Sequence, residues 1–130
     1  MDPVDAAILE PGLGLRGNAN RRGRRQVTII SNARWQELMD ALHADLPPSA
    51  RRANLMVSGL DLEQSRGRIL RIGDTRLRIN GELRPCEQME AAHPGLEVLM
   101  RERWGGGVYA EVIDGGEIRV GDSVEWGADQ

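Results

Sequence analysis

Apolar positions along the chain fall into short runs separated by turns rich in glycine, proline, asparagine and aspartate. Residues 4–9 predict a short first strand. Residues 27–30, Val-Thr-Ile-Ile, are β-branched and predict a buried strand. Ser31 or Asn32 then caps a helix in which Trp35, Leu38, Met39 and Leu42 follow the i, i+3, i+4, i+7 spacing of a single buried face, with His43 at its end and Pro47 and Pro48 beyond. Residues 55–57 predict another strand, turning at Ser58 and Gly59. Residues 68–72 and 75–79 alternate around Gly73-Asp74. Leu77 and Ile79 therefore face one side and Arg76 and Arg78 the other, as in a hairpin with one wet face. A second hairpin of the same kind is expected at 117–120 and 123–126 around Gly121-Asp122, preceded by a strand at 108–113 and the turn Asp114-Gly115-Gly116. Two helical stretches separate these β units. One follows Pro85, and one spans 95–104 with Leu96, Leu99 and Met100 on one face. Gly105-Gly106-Gly107 ends the second, where missing side chains would let backbone approach a ligand or another strand.

This pattern predicts an α+β fold that is mainly β: a small antiparallel or mixed β-barrel decorated by short helices. At 130 residues the chain is the size of one domain. With no Phe, one Tyr and three Trp, its core must come from Leu, Ile, Val, Met and Ala. Residues 1–12 either join the barrel or stay flexible. Residues 13–26, almost empty of core formers, predict a Gly/Arg-rich loop in which Arg21, Arg22, Arg24 and Arg25 could hold a phosphate or carboxylate. It matches neither the dinucleotide-binding fingerprint nor the Walker pattern. A solvated arm is the alternative.

Charge sharpens this picture. The net charge is −3, yet all 17 basic residues are Arg. Without lysine the chain cannot form a Schiff base with pyridoxal phosphate. Residues 1–34 carry six Arg against three acids and the remainder eleven Arg against seventeen acids, so an anion-binding N-terminal region sits on an acidic body. A second Arg pair, Arg51-Arg52, precedes the 55–57 strand. No segment has the length and apolarity of a membrane span and the N-terminus lacks a signal-peptide pattern, so a cytoplasmic location is expected.

Cys86 is the only cysteine. A lone thiol makes no internal disulfide, so its chemistry would be nucleophilic attack, persulfide carriage or soft-metal ligation. Pro85 suits a helix start, and an unpaired N–H end together with Arg84 favours a thiolate there, while Glu87 and Glu90 oppose it. A buried, inert cysteine is the competing reading. His43 and His93 offer no zinc spacing with it, and His93, followed by Pro94, reads as a helix end. No general acid/base pair stands out.

The ordered phrases Gly14-Leu15-Arg16-Gly17-Asn18, Arg24-Arg25-Gln26-Val27-Thr28, Arg51-Arg52-Ala53-Asn54-Leu55, Gly59-Leu60-Asp61-Leu62, Arg71-Ile72-Gly73, Arg84-Pro85-Cys86 with Met89-Glu90, and Gly105-Gly106-Gly107 leading to Val120-Gly121-Asp122 resemble the MOSC domain, the module named for the C-terminal part of molybdenum cofactor sulfurase. The resemblance covers nearly the whole chain, residues 1–130 as a single MOSC-like domain, and implies a β-barrel of that type. It also implies a cysteine, here Cys86, that in related proteins carries sulfur or contacts molybdenum. Arg25, Arg52 and Asn54 become candidates for the pterin-phosphate side of the molybdenum cofactor (molybdopterin), with Arg22 and Arg84 as further basic candidates. Asn18 stands where many relatives have Asp, so no ionic role carries over to it. The expected function is a molybdenum-cofactor-binding or sulfur-carrier module, either a molybdenum-dependent reductase or a sulfur-transfer component. Sulfur would come from a separate cysteine desulfurase, or the module would work with a molybdoenzyme or reductase partner. The alternative is a non-catalytic barrel that binds nucleic acid or protein through its Arg-rich loop. Scarce aromatic residues and the acidic balance weigh against nucleic acid.

Overall fold

The structure, a computed structural model, describes residues 5–16, 25–48, 53–85 and 87–127. Nine strands are described, and they form two sheets. The larger is ordered β4 (Leu55–Val57), β3 (Val27–Ser31), β7 (Val108–Asp114), β6 (Thr75–Glu82), β5 (Ile69–Ile72), β9 (Val124–Trp126), and the smaller β2 (Gly14–Leu15), β1 (Ala6–Glu10), β8 (Gly116–Arg119). Only the β3–β4 pair is parallel, as the expected mixed sheet requires.

Strand alternation builds the core. Val27 and Ile29 of β3, Leu77 and Ile79 of β6, and Val108, Ala110 and Val112 of β7 point inward and meet Leu70 and Ile72 of β5, Leu9 of β1 and Ile118 of β8. The two sheets thus curl around one aliphatic cluster, the α+β barrel-like architecture anticipated above. Helix α1 (Asn32–Leu42) begins where Ser31 Oγ accepts from the backbone N–H of Arg34 and ends where His43 turns to a left-handed conformation. Its Trp35, Leu38 and Met39 form a second cluster with Met89 of α2 (Glu87–Ala92) and Leu96 and Met100 of α3 (Leu96–Met100). That helical layer lies against β3 through α1.

Four expectations need correction. The first strand starts at Ala6 and runs on to Glu10, one residue beyond the expected end. Within the predicted 13–26 loop, Gly14 and Leu15 pair with Glu10 and Leu9 and form β2. The second hairpin does not form, since β8 pairs with β1 while β9 pairs with β5. Its cause lies upstream. At the corner after β7 a Cβ on Gly115 would sit 2.4 Å from the carbonyl oxygen of Leu9, so a glycine lets the chain swing against β1 and change sheets. Lastly, the helix predicted over 95–104 stops at Met100, and a 3-10 turn at Glu102–Trp104 follows with Arg103 at φ 52 and Trp104 at φ 57. Gly107 behaves as expected of a close approach, because a Cβ there would lie 2.2 Å from the carbonyl oxygen of Ile29 on β3.

Candidate anion-binding face

The outer surface of the large sheet carries the candidate site. Tyr109, flanked by the inward-facing Val108 and Ala110, points outward from β7. It stands opposite Thr28 on β3 and opposite Gly81 on β6. A register shift between Ile79 and Gly81 sets this arrangement. Asn80 is the extra residue of that bulge, and it turns Gly81 from the inward parity of Leu77 and Ile79 to the outer face. Bulges commonly re-aim a strand beside a functional site. Here the re-aimed strand leads directly to Arg84, Pro85 and Cys86.

Asn54, just ahead of β4, is locked onto Thr28. Its Oδ1 accepts from the Thr28 backbone N–H at 3.0 Å and from the Thr28 hydroxyl at 3.2 Å, while its own N–H donates to Thr28 Oγ1 at 3.0 Å. A backbone N–H can only donate, so the side-chain oxygen must face Thr28 and the amide nitrogen must face away. That nitrogen, Nδ2, is shut off from solvent and has no hydrogen-bond partner among the described residues. A buried donor left in this state costs about 1–3 kcal/mol, which an acceptor oxygen reaching it would recover.

Arg25 lies over the ring of Tyr109, its guanidinium carbon 5.1 Å from the ring centre. Among the described residues no carboxylate pairs with it. Arg25, Tyr109, Thr28 and Asn54 thus lie together on the outer side of β3 and β7, and among the described residues no acceptor pairs with the Arg25 guanidinium or with Asn54 Nδ2.

Of the residues singled out from sequence, the structure brings Arg25 and Asn54 together through Thr28 and Tyr109. Arg84 lies just past β6 with its side chain 80% exposed and its Nε 4.0 Å from a Glu82 carboxylate oxygen. Cys86, Arg22 and Arg52 lie outside the described residues. Pro85 is buried and Met89 anchors α2 in the helical cluster, so the chain on both sides of Cys86 is held by packing. His93 ends α2 and its Nδ1 contacts the carbonyl of Pro94 at 2.8 Å, in keeping with a terminating rather than chemical role. Tyr109 was not anticipated, although it is the only tyrosine in the chain.

A separate crevice of about 10 Å³ lies between Ser31, Arg34, Glu63 and Trp104, room for about one water molecule. Arg34 there donates to the carbonyl of Glu102 at 3.1 Å and ion-pairs with Glu37 at 3.0 Å. It pins the strained turn to α1, a structural task.

These features define a small mixed β-barrel whose outer face presents Arg25, Tyr109, Thr28 and Asn54. The MOSC domain family model matches residues 16–125, and the chain belongs to that family. The fold is also that of solved structures: the YuaD protein from Bacillus subtilis (TM-score 0.78, 22% identity, 98% of this chain and 87% of that one) and YiiM from Escherichia coli (TM-score 0.77, 19% identity, 98% and 65%). YiiM from Geobacillus stearothermophilus is similar as well (TM-score 0.69, 17% identity, 80% and 55%), so the chain spans only about half to two thirds of the YiiM proteins it resembles. No curated protein sequence matches it.

Proposed function

We propose that this chain is a cytosolic molybdenum-cofactor-binding or sulfur-carrying module, with Arg25 and Asn54 holding the phosphate-bearing side of the pterin and Cys86 presenting sulfur at its other end. The observation that carries this reading is the outer face of β3, β7 and β6, where Arg25 and the Asn54 amide nitrogen have no acceptor among the described residues, next to β6, which precedes Cys86 in the chain. Donors of this kind suit a phosphate monoester. Arg22 and Arg52 come from the segments preceding Arg25 and Asn54 and would extend the same basic surface, while Arg84 beside Cys86 would favour its thiolate.

In this reading the metal is carried mainly by the pterin, and the protein adds a single soft ligand, Cys86. When bound, the cofactor would supply two-electron redox chemistry at the metal; the chain itself contributes charge, orientation and a thiolate. Lacking lysine, it would receive sulfur from a separate desulfurase or act beside a reductase partner.

Purification from cells that make the cofactor, followed by molybdenum and pterin analysis and mass spectrometry of Cys86, tests the reading. Stoichiometric pterin with molybdenum, or a persulfide on Cys86 after incubation with a cysteine desulfurase and cysteine, is the expected result, and the Cys86→Ser variant should lose the persulfide. Failure to find pterin, molybdenum and persulfide alike would overturn it.

A further inference from the structure

Tyr109 reaches the site by three independent features of the chain. Strand pairing sets it opposite Thr28, the residue that fixes Asn54. The bulge at Asn80 sets it opposite Gly81. Gly81 in turn leaves room for the ring to lie across β6: a Cβ there would come within 2.8 Å of the Tyr109 hydroxyl and 3.0 Å of two ring carbons. Arg25 covers the ring. The hydroxyl is a further donor without a partner among the described residues; it lies over β6, at the end of the ring that Arg25 covers.

We propose that Tyr109 is an oxyanion-binding residue: its ring holds the Arg25 guanidinium by cation–π contact, and its hydroxyl donates to the same phosphate oxygens that Arg25 grips. This deepens the proposed function and rests on it for the identity of the phosphate-bearing ligand, but the oxyanion site itself can be tested without that ligand.

The test uses the full chain and inorganic phosphate as probe, with binding followed through the Arg25 Nε–H resonance. Three proteins are compared: wild type, Tyr109→Phe, which keeps the ring and removes the hydroxyl, and Gly81→Ala, which pushes the ring off its seat. Wild type should bind phosphate saturably. Tyr109→Phe should weaken binding about 5- to 10-fold, in line with a charged hydrogen bond at a partly exposed site, with thermal stability unchanged. Gly81→Ala should weaken it at least as much. Equal phosphate affinity in wild type and Tyr109→Phe, or no saturable binding in wild type, overturns the inference. Molybdenum and pterin content of the same proteins separates the two ideas. Cofactor retained at wild-type level in Tyr109→Phe removes Tyr109 from the site and leaves the cofactor reading standing, whereas Tyr109-dependent phosphate binding in a chain that never acquires cofactor does the reverse.

Discussion

The outer face of the large sheet treats arginine in two different ways at its two ends. Across β9, β5, β6 and β7 the residues in register read Glu125, Arg71, Arg76, Asp114, and Arg78 stands opposite Glu111. Arg71 and Arg76 oppose each other, an arrangement that repels, but each has a carboxylate on its other side. Arg71 pairs with Glu125 at 3.8 Å, Arg76 with Asp114, and Arg78 with Glu111 at 3.8 Å. At the other end, among the described residues, Arg25 has an aromatic ring in place of a carboxylate, and Asn54 turns a nitrogen without a partner away from Thr28. Matched arginines keep a hairpin soluble and in register. Donors without such a partner among the described residues are the ones the proposed phosphate site would use. The same side chain therefore means different things according to its neighbours, and a count of arginines along the chain cannot separate the two.

The comparison is broken most forcefully at Thr28. Replacing it with Val keeps the shape but removes the hydroxyl that both accepts from and donates to Asn54. The expected loss of unfolding free energy is about 0.5–1.5 kcal/mol, the net worth of the lost hydroxyl bonds, because the Asn54 N–H keeps the Thr28 carbonyl and Asn54 Oδ1 keeps the Thr28 backbone N–H. Urea denaturation measures it. A loss below that range would mean that Asn54 is not fixed by this pair. Next in size is Arg25→Ala. It removes no ion pair among the described residues, so stability should stay within about 0.5 kcal/mol of wild type. Phosphate affinity should fall about tenfold or more, equivalent to roughly 1.4 kcal/mol. A fall in melting temperature with phosphate affinity intact would move Arg25 to the matched class.

Much of the scaffold was legible because its signals are local. The face of α1 and its Ser31 cap follow from spacing alone, as does the inward alternation of Leu77 and Ile79. The misread hairpin shows where local reading stops. Arg71-Ile72-Gly73-Asp74 and Arg119-Val120-Gly121-Asp122 are nearly the same phrase. The first closes a hairpin, with the Thr75 hydroxyl donating to the carbonyl of Ile72 and β5 paired to β6. In the second the Asp122 carboxylate accepts from the Arg119 N–H, and the chain passes from one sheet to the other. Their partners are chosen by distant strands. Arg25 and Asn54 were identified through resemblance, and their meeting depends on β3 pairing with both β4 and β7. Tyr109 carried no local signal, since its place depends on a bulge in another strand. Cys86, Arg22 and Arg52 lie outside the described residues, so this structure leaves their part of the site where the sequence put it.

The smallest effect gives the sharpest test of the matched end. Glu125→Gln removes the carboxylate that flanks Arg71 and leaves Arg71 facing Arg76 with an acid, Asp114, on one side only. Both members of the lost pair are more than half exposed, at 51% and 64%, so the attraction is screened and worth about 0.2–1 kcal/mol. Repulsion between Arg71 and Arg76 is screened by the same ions. The destabilisation should therefore be measurable at low ionic strength and shrink toward zero at about 1 M salt, where the screening length is roughly 3 Å. Phosphate affinity at Arg25 should not change, since the altered charge lies at the opposite end of the sheet. A loss of stability that persists in high salt would show that Glu125 acts through packing rather than charge. Phosphate binding newly gained at Arg71 would show instead that the two ends differ only in whether an acid is present, so that removing one acid turns a matched arginine into an anion site.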